Sequence, residues 1–173
     1  SGSLAGQGEN VQIESFNLLD GMSPTTQIMT AFSTIPDLTG VADQHTIGAS
    51  LEAGHATILL NLDTGEKVAH WVETDARADD ETGTIVFIRT LVQLEPNTAY
   101  GVGLSGLNVT PSVAFQAVLD GLETDAPDVE ARQTSIANLI GAIANAGHNT
   151  TNLKAAWQFH TASMESIVGP MLS

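Results

Sequence analysis

The sequence predicts a mainly β fold, interrupted by two helices just before its last strand. Three observations lead there. From Thr26 to Leu104, apolar and β-branched residues recur with the two-residue period that puts alternate side chains on one face of a strand. Turn chemistry divides that stretch, at Asp63-Thr64-Gly65 and again at Pro96-Asn97. From Pro111 the apolar period changes to that of a helix, and strand spacing returns only at Ala156.

Taken in order, residues 1–12 are Gly- and Ser-rich and read as a flexible lead or tag remnant, with 13–173 a single domain. The opening Ser1-Gly-Ser-Leu-Ala-Gly-Gln-Gly has no Met and no apolar signal-peptide core, so it reads as a tag scar or an excised boundary. Val11 to Leu19 alternates in part, and Asp20-Gly21 signals a turn. Thr26 to Phe32 reads as an early strand with Ile28, Thr30 and Phe32 on one face, and Pro36 to Gly54 as a loop with one helical turn. Ala56 to Leu62 and Lys67 to Glu73 are expected to form a hairpin, because Gly65 supplies the left-handed residue its short loop needs. An acidic connection, Thr74 to Gly83, leads to a central strand pair, Thr84 to Val92 and Ala99 to Leu104. In the turn between them Pro96 presets its φ and Asn97 tolerates a tight backbone. Tyr100, Val102 and Leu104 share one face of the second strand, with Gly101 and Gly103 on the other.

The helical part opens at Pro111, with Phe115, Val118, Leu119 and Leu122 as its stripe. A second helix is capped by Asp125 or Asp128, carries Val129, Ile136, Leu139, Ile140 and Ile143, and stops at Gly147. A short helix from Asn149 or Thr150 to Leu153, a strand from Ala156 to Thr161 and a last helix from Met164 to Leu172 complete the expectation.

Composition narrows the functional classes. At 173 residues the chain is long enough for one domain with a sizeable core, and a hydrophobic content of 42% with mean hydropathy +0.09 is ordinary for a globular protein. Its charge is not ordinary. Five Lys and Arg face twenty Asp and Glu, a net charge of -15, so the surface repels phosphate backbones and no nucleic-acid partner is expected. There is no Cys for a disulfide or thiolate metal site, and no apolar run reaches the roughly 18 residues of a membrane span.

Three segments carry a resemblance. The first is Leu94-x-Pro96-x-Thr98-x-Tyr100-x-Val102, the second Trp157-x-Phe159-x-Thr161-Ala162-Ser163, and the third the Leu60 to Trp71 segment around Asp63-Thr64-Gly65. In this order they resemble the bacterial immunoglobulin-like domain found N-terminal to the α/β-hydrolase (lipase or esterase) part of exported bacterial proteins, over roughly residues 16 to 172. The resemblance implies an immunoglobulin-like β-sandwich of about seven strands, with Tyr100 at a corner and a helical insertion at about 111–155 before the last strand. It also implies a non-catalytic accessory or spacer module, extracellular, cell-surface or periplasmic, whose partner is a neighbouring domain of the same polypeptide. The alternative is a cell-surface module that binds polysaccharide or protein. Aromatic rings exposed on one sheet face favour binding, whereas buried rings favour the spacer.

Chemistry-bearing residues are sparse. The closest approach to the G-x-S-x-G elbow of serine hydrolases is Gly103-Leu-Ser105-Gly106-Leu107, which fails at its fifth position and reads as a structural loop. His45, His55, His70, His148 and His160 show no H-x-x-x-H or H-E-x-x-H spacing, so they are expected at the surface or locally hydrogen-bonded. His70 and His160, beside Trp71 and Phe159 on strands, are expected to point outward. Asp75, Asp79, Asp80 and Glu81 offer hard oxygen ligands to calcium, but they lack the D-x-D-x-D-G loop and the distant bidentate Glu, so a solvated acidic loop is the simpler reading. No other cofactor is expected. Asn108-Val-Thr110 and Asn149-Thr-Thr151 match the glycosylation acceptor by coincidence, and Trp71, Phe87, Tyr100, Trp157 and Phe159 are read as core and corner residues.

Overall fold

The computed structural model of the chain describes residues 20–77, 83–123 and 126–172. These residues form six strands: β1 (Ile28–Phe32), β2 (Thr57–Asn61), β3 (His70–Thr74), β4 (Thr84–Thr90), β5 (Ala99–Ser105) and β6 (Leu153–His160). They make two antiparallel sheets of three, ordered β1-β4-β3 and β2-β5-β6. About seven strands were expected; the partly alternating stretch Val11 to Leu19 lies outside the described residues, as does the lead. Alternation decides the core. Ile28, Val72, Val86 and Ile88 of the first sheet share one apolar cluster with Leu59, Tyr100, Val102 and Leu104 of the second. The arrangement is consistent with a β-sandwich.

Two sequence expectations are corrected here. The Ala56 to Leu62 and Lys67 to Glu73 segments do not form a continuous hairpin. Gly65 has the expected φ of +76°, and the turn closes through Asn61 N–H to Glu66 O at 2.9 Å and Val68 N–H to Leu59 O at 2.8 Å. The chain then leaves β2, and His70–Thr74 pairs with β4 in the opposite sheet. Nor are β4 and β5 a pair: the first ends at Thr90, and residues 91–98 carry the chain across to the other sheet. A strand's apolar alternation is the same whichever sheet receives it, so local pattern could not separate these cases.

Helices cover one outer face. A 3-10 turn, Ile47–Leu51, lies in the expected loop. Helix α1 (Val113–Leu119) begins after Ser112, whose hydroxyl accepts Phe115 N–H at 3.1 Å, and Leu122 lies beyond it in solvent. Helix α2 (Pro127–Asn145) starts on Pro127, so Asp128 lies in its first turn and is not the cap; Asp125 is outside the described residues. Leu139 and Ile143 of α2 pack on Ile58, Leu60 and Ala156 of the β2-β5-β6 sheet, forming a second core behind the first. That sheet is therefore buried on both faces, and β2 (Thr-Ile-Leu-Leu-Asn) is buried at every position. The glycine face of β5 is what lets α2 approach. A Cβ at Gly101 would lie 2.4 Å from Leu139 Cδ1, and one at Gly103 would lie 3.0 Å from Ile143 Cδ1. Residues 150–152 form a turn and Leu153 opens β6, which corrects the short helix expected there. Helix α3 (Met164–Leu172) follows as expected. Among the described residues no helix is long and apolar enough to cross a membrane.

Candidate functional site

Two of the three segments singled out in the sequence meet at one corner. Asn97 adopts a φ of +52°, and the chain turns so that the Tyr100 hydroxyl accepts Glu95 N–H at 2.9 Å. Burial pushes the phenol pKa up from its ordinary value, which keeps the hydroxyl protonated. Phe159 stacks on the Tyr100 ring with centroids 5.7 Å apart. The Thr161 hydroxyl accepts Thr98 N–H at 3.0 Å and donates to Glu95 O at 2.6 Å. Thus the turn and the closing strand are tied by backbone and hydroxyl groups and by the stacked rings of Tyr100 and Phe159.

A serine–histidine pair lies at the other end of β5. His148, on the α2–β6 connection, places Nε2 2.9 Å from Ser105 Oγ. No local motif announced this pair, because 43 residues separate them. The pair is poorly disposed for hydrolysis. Both residues are 5% exposed, and Ser105 Oγ also lies 3.2 Å from Ala56 O. That carbonyl can only accept, so satisfying both contacts sends the hydroxyl proton to Ala56 and leaves the imidazole proton on Nε2. A base must present a bare nitrogen to its serine, and this one presents a donor. Burial and the nearby Lys67 hold His148 down to about 4, well below the usual 6.5. Among the described residues the ion pairs are Arg77–Asp75 and Arg89–Glu73, so none supplies a carboxylate to an imidazole.

His70 overturns the expectation that it faces outward. It is 1% exposed, with Nε2 2.8 Å from Thr57 Oγ1 and Nδ1 2.8 Å from Val68 O. A signal for this was present: His70 and Val72 share a face, and Val72 faces the core. The neighbouring positions show the reverse of what was expected. Trp71 and Phe87 are half-buried and lie on the outer side of the β1-β4-β3 sheet, where Arg89 pairs with Glu73 and sits 5.2 Å from the Phe87 ring centre. His160 is exposed, as expected.

Of the calcium candidates, Asp79, Asp80 and Glu81 lie outside the described residues. Asp75 accepts Arg77 N–H at 2.9 Å and pairs with the guanidinium at 3.4 Å, contacts that hold its carboxyl below the usual range. Among the described residues no group of three or more His, Asp or Glu is arranged to hold a metal.

Concave regions lie elsewhere. A cleft of about 690 Å³ runs between β1 and β6 beneath the start of α1, lined by Met29, Phe32, Phe115, Lys154 and Trp157. A second, of about 410 Å³, lies under α1 and α2 and shares Phe115, Ala156 and Trp157 with the first. Both β1 and β6 are edge strands, so the first cleft opens between two sheet edges. No family model matches the chain, and no curated protein or solved structure does either.

Proposed function

We propose that this chain is an immunoglobulin-like accessory module of a larger exported bacterial protein, a non-catalytic spacer that positions a neighbouring hydrolase domain. Support comes from the corner: two of the three motifs that carry the resemblance are in contact, through Thr161 on Thr98 and Glu95 and Phe159 on Tyr100. The position of α1 and α2, between β5 and β6, fits the helical insertion the resemblance implies. One observation carries the non-catalytic half of the reading. The only serine–histidine side-chain pair among the described residues is buried, and the Ala56 carbonyl competes with the imidazole for the serine proton. The purified chain is expected to leave short-chain p-nitrophenyl esters intact above the uncatalysed rate. Turnover that disappears in Ser105→Ala would overturn that half. The other half is tested by the parent reading frame, which should continue into a G-x-S-x-G motif.

A second reading, a surface module that binds polysaccharide or protein, is favoured by the clefts that meet at Phe115 and Trp157. In Trp71→Phe the remaining tryptophan is Trp157, and its fluorescence should shift with a soluble glycan or protein if those clefts are occupied. An unchanged spectrum favours the spacer.

A further inference from the structure

Three buried histidines belong to one polar cluster, and its hydrogen bonds fix where two of their protons sit. His70 Nδ1 faces Val68 O, which can only accept, so Nδ1 carries the proton and Nε2 receives the Thr57 hydroxyl. Thr57 lies on β2 and His70 on β3, so this bond joins the two sheets. His55 Nε2 accepts Ala42 N–H at 2.9 Å, which leaves the proton on Nδ1, 2.9 Å from Thr57 O; the Thr57 N–H and hydroxyl lie farther from that nitrogen, at 3.2 and 3.3 Å. Ala42 in turn accepts Val72 N–H at 3.0 Å. Ser50 accepts His70 N–H at 3.0 Å and donates to Ile47 O at 2.7 Å. The loop from Ala42 to Ser50 is thereby held at both ends against the start of β3.

We propose that His55, Thr57 and His70 form an acid-released latch, in which neutral imidazoles pin the 42–50 loop across the sheets and protonation of His55 frees its Ala42 end.

The geometry makes His55 the sensitive member. An imidazolium has two donors and no acceptor, so a proton on His55 Nε2 would face the Ala42 N–H donor to donor. That leaves a buried backbone N–H without a partner, an arrangement proteins avoid. His70 is more tolerant in geometry, since the Thr57 hydroxyl can turn and accept. Its constraint is charge: burial holds it down to about 4. The groups that face the cluster reinforce this. The His55 and His70 rings are 6.1 Å apart, and His148 feels Lys67, His55 and His70, all of one sign when charged. Lys67 Nζ reaches Leu51 O and Glu52 O at 3.3 and 3.4 Å, at the far end of the same loop. The carboxylates on the surrounding segments, Asp43, Glu52 and Glu66, are exposed, and among the described residues none makes an ion pair with these rings. For His70 and His148 the folded-state pKa lies below the ordinary 6.5. Their neutral forms therefore stabilise the fold above that pH, and the contribution is lost as pH falls from 6.5 towards about 4.

The test is amide hydrogen exchange of the full chain between neutral pH and pH 5, corrected for intrinsic rates. In the wild type the protection of the Ala42 amide should fall about tenfold further than that of the Val102 amide, which reports the fold-wide loss brought by His70 and His148. His55→Gln retains an acceptor that takes up no proton, so in that variant Ala42 protection should fall no further than that of Val102. The wild type alone gives an independent measurement: long-range ¹H–¹⁵N spectra at neutral pH should show His55 and His70 protonated on Nδ1. Ala42 protection that falls no further than that of Val102 in the wild type, or His55 protonated on Nε2, would each overturn the latch.

Discussion

Replacing Gly101 with alanine tests the layered architecture at its tightest point. The new Cβ would lie 2.4 Å from Leu139 Cδ1 and 3.0 Å from Leu62 Cδ2. Carbon atoms sit comfortably at about 3.5–4.0 Å, so Leu139 must change rotamer or α2 must lift. Leu139 is 2% exposed and wedged against the sheet, which leaves it little room. Overpacking of this kind costs about 1–3 kcal/mol. Alanine in a strand regains about 0.5–1 kcal/mol over glycine, so the net loss expected is about 1–2 kcal/mol. Leu139→Ala alone empties a buried site and should cost about 3 kcal/mol, within the range for such truncations. The double variant is the informative one. With Cδ1 gone only the 3.0 Å approach to the end of the Leu62 side chain remains, so Gly101→Ala on that background should be close to neutral. The double variant should then fall short of additivity by about 2 kcal/mol, well outside the usual tolerance for independent sites. Urea melts with matched m-values supply the four free energies. Gly48→Ala is the control, since a Cβ there meets nothing within 4 Å. Additivity within about 0.5 kcal/mol would refute the packing of α2 on the glycine face.

Two further outcomes are expected. Tyr100→Phe removes the hydroxyl that accepts Glu95 N–H, and denaturant melts should show a loss on the order of 1 kcal/mol. No change would mean that the bond contributes nothing to the corner. Millimolar calcium and sodium chloride at matched ionic strength should raise the melting temperature alike, because a chain at -15 gains from screening by any salt. A calcium-specific rise abolished by Asp79→Asn with Asp80→Asn would show a built site in the acidic connection, stabilising the fold by linkage.

The parts legible in the sequence are those set by a few neighbouring residues. Gly65 and Asn97 take the positive φ that their turn positions require, and Tyr100 lies where its hydroxyl returns to Glu95. Helix α3 follows its pattern as expected. What was not legible depends on partners far away in the chain. Between Asn61 and His70 the chain makes a tight turn and then changes sheets, and its local chemistry is that of a hairpin throughout. The inward residue of β3 was misassigned for a related reason. Either alternation, Trp71 with Glu73 or His70 with Val72, fits a half-buried strand, and the larger aromatic ring was taken as the core side. The structure puts the imidazole inside because an acceptor, Val68 O, and a hydroxyl donor, Thr57, are available there for its two ring nitrogens. Trp71 instead stays half-buried outside, with its indole N–H 3.4 Å from Glu73. A buried histidine is thus chosen by its hydrogen-bond partners more than by its hydrophobicity, and the distant one, Thr57, lies 13 residues away. The same rule accounts for Ser105 and His148: each satisfies the other in a place where neither can reach water, and no spacing motif is needed to bring them together.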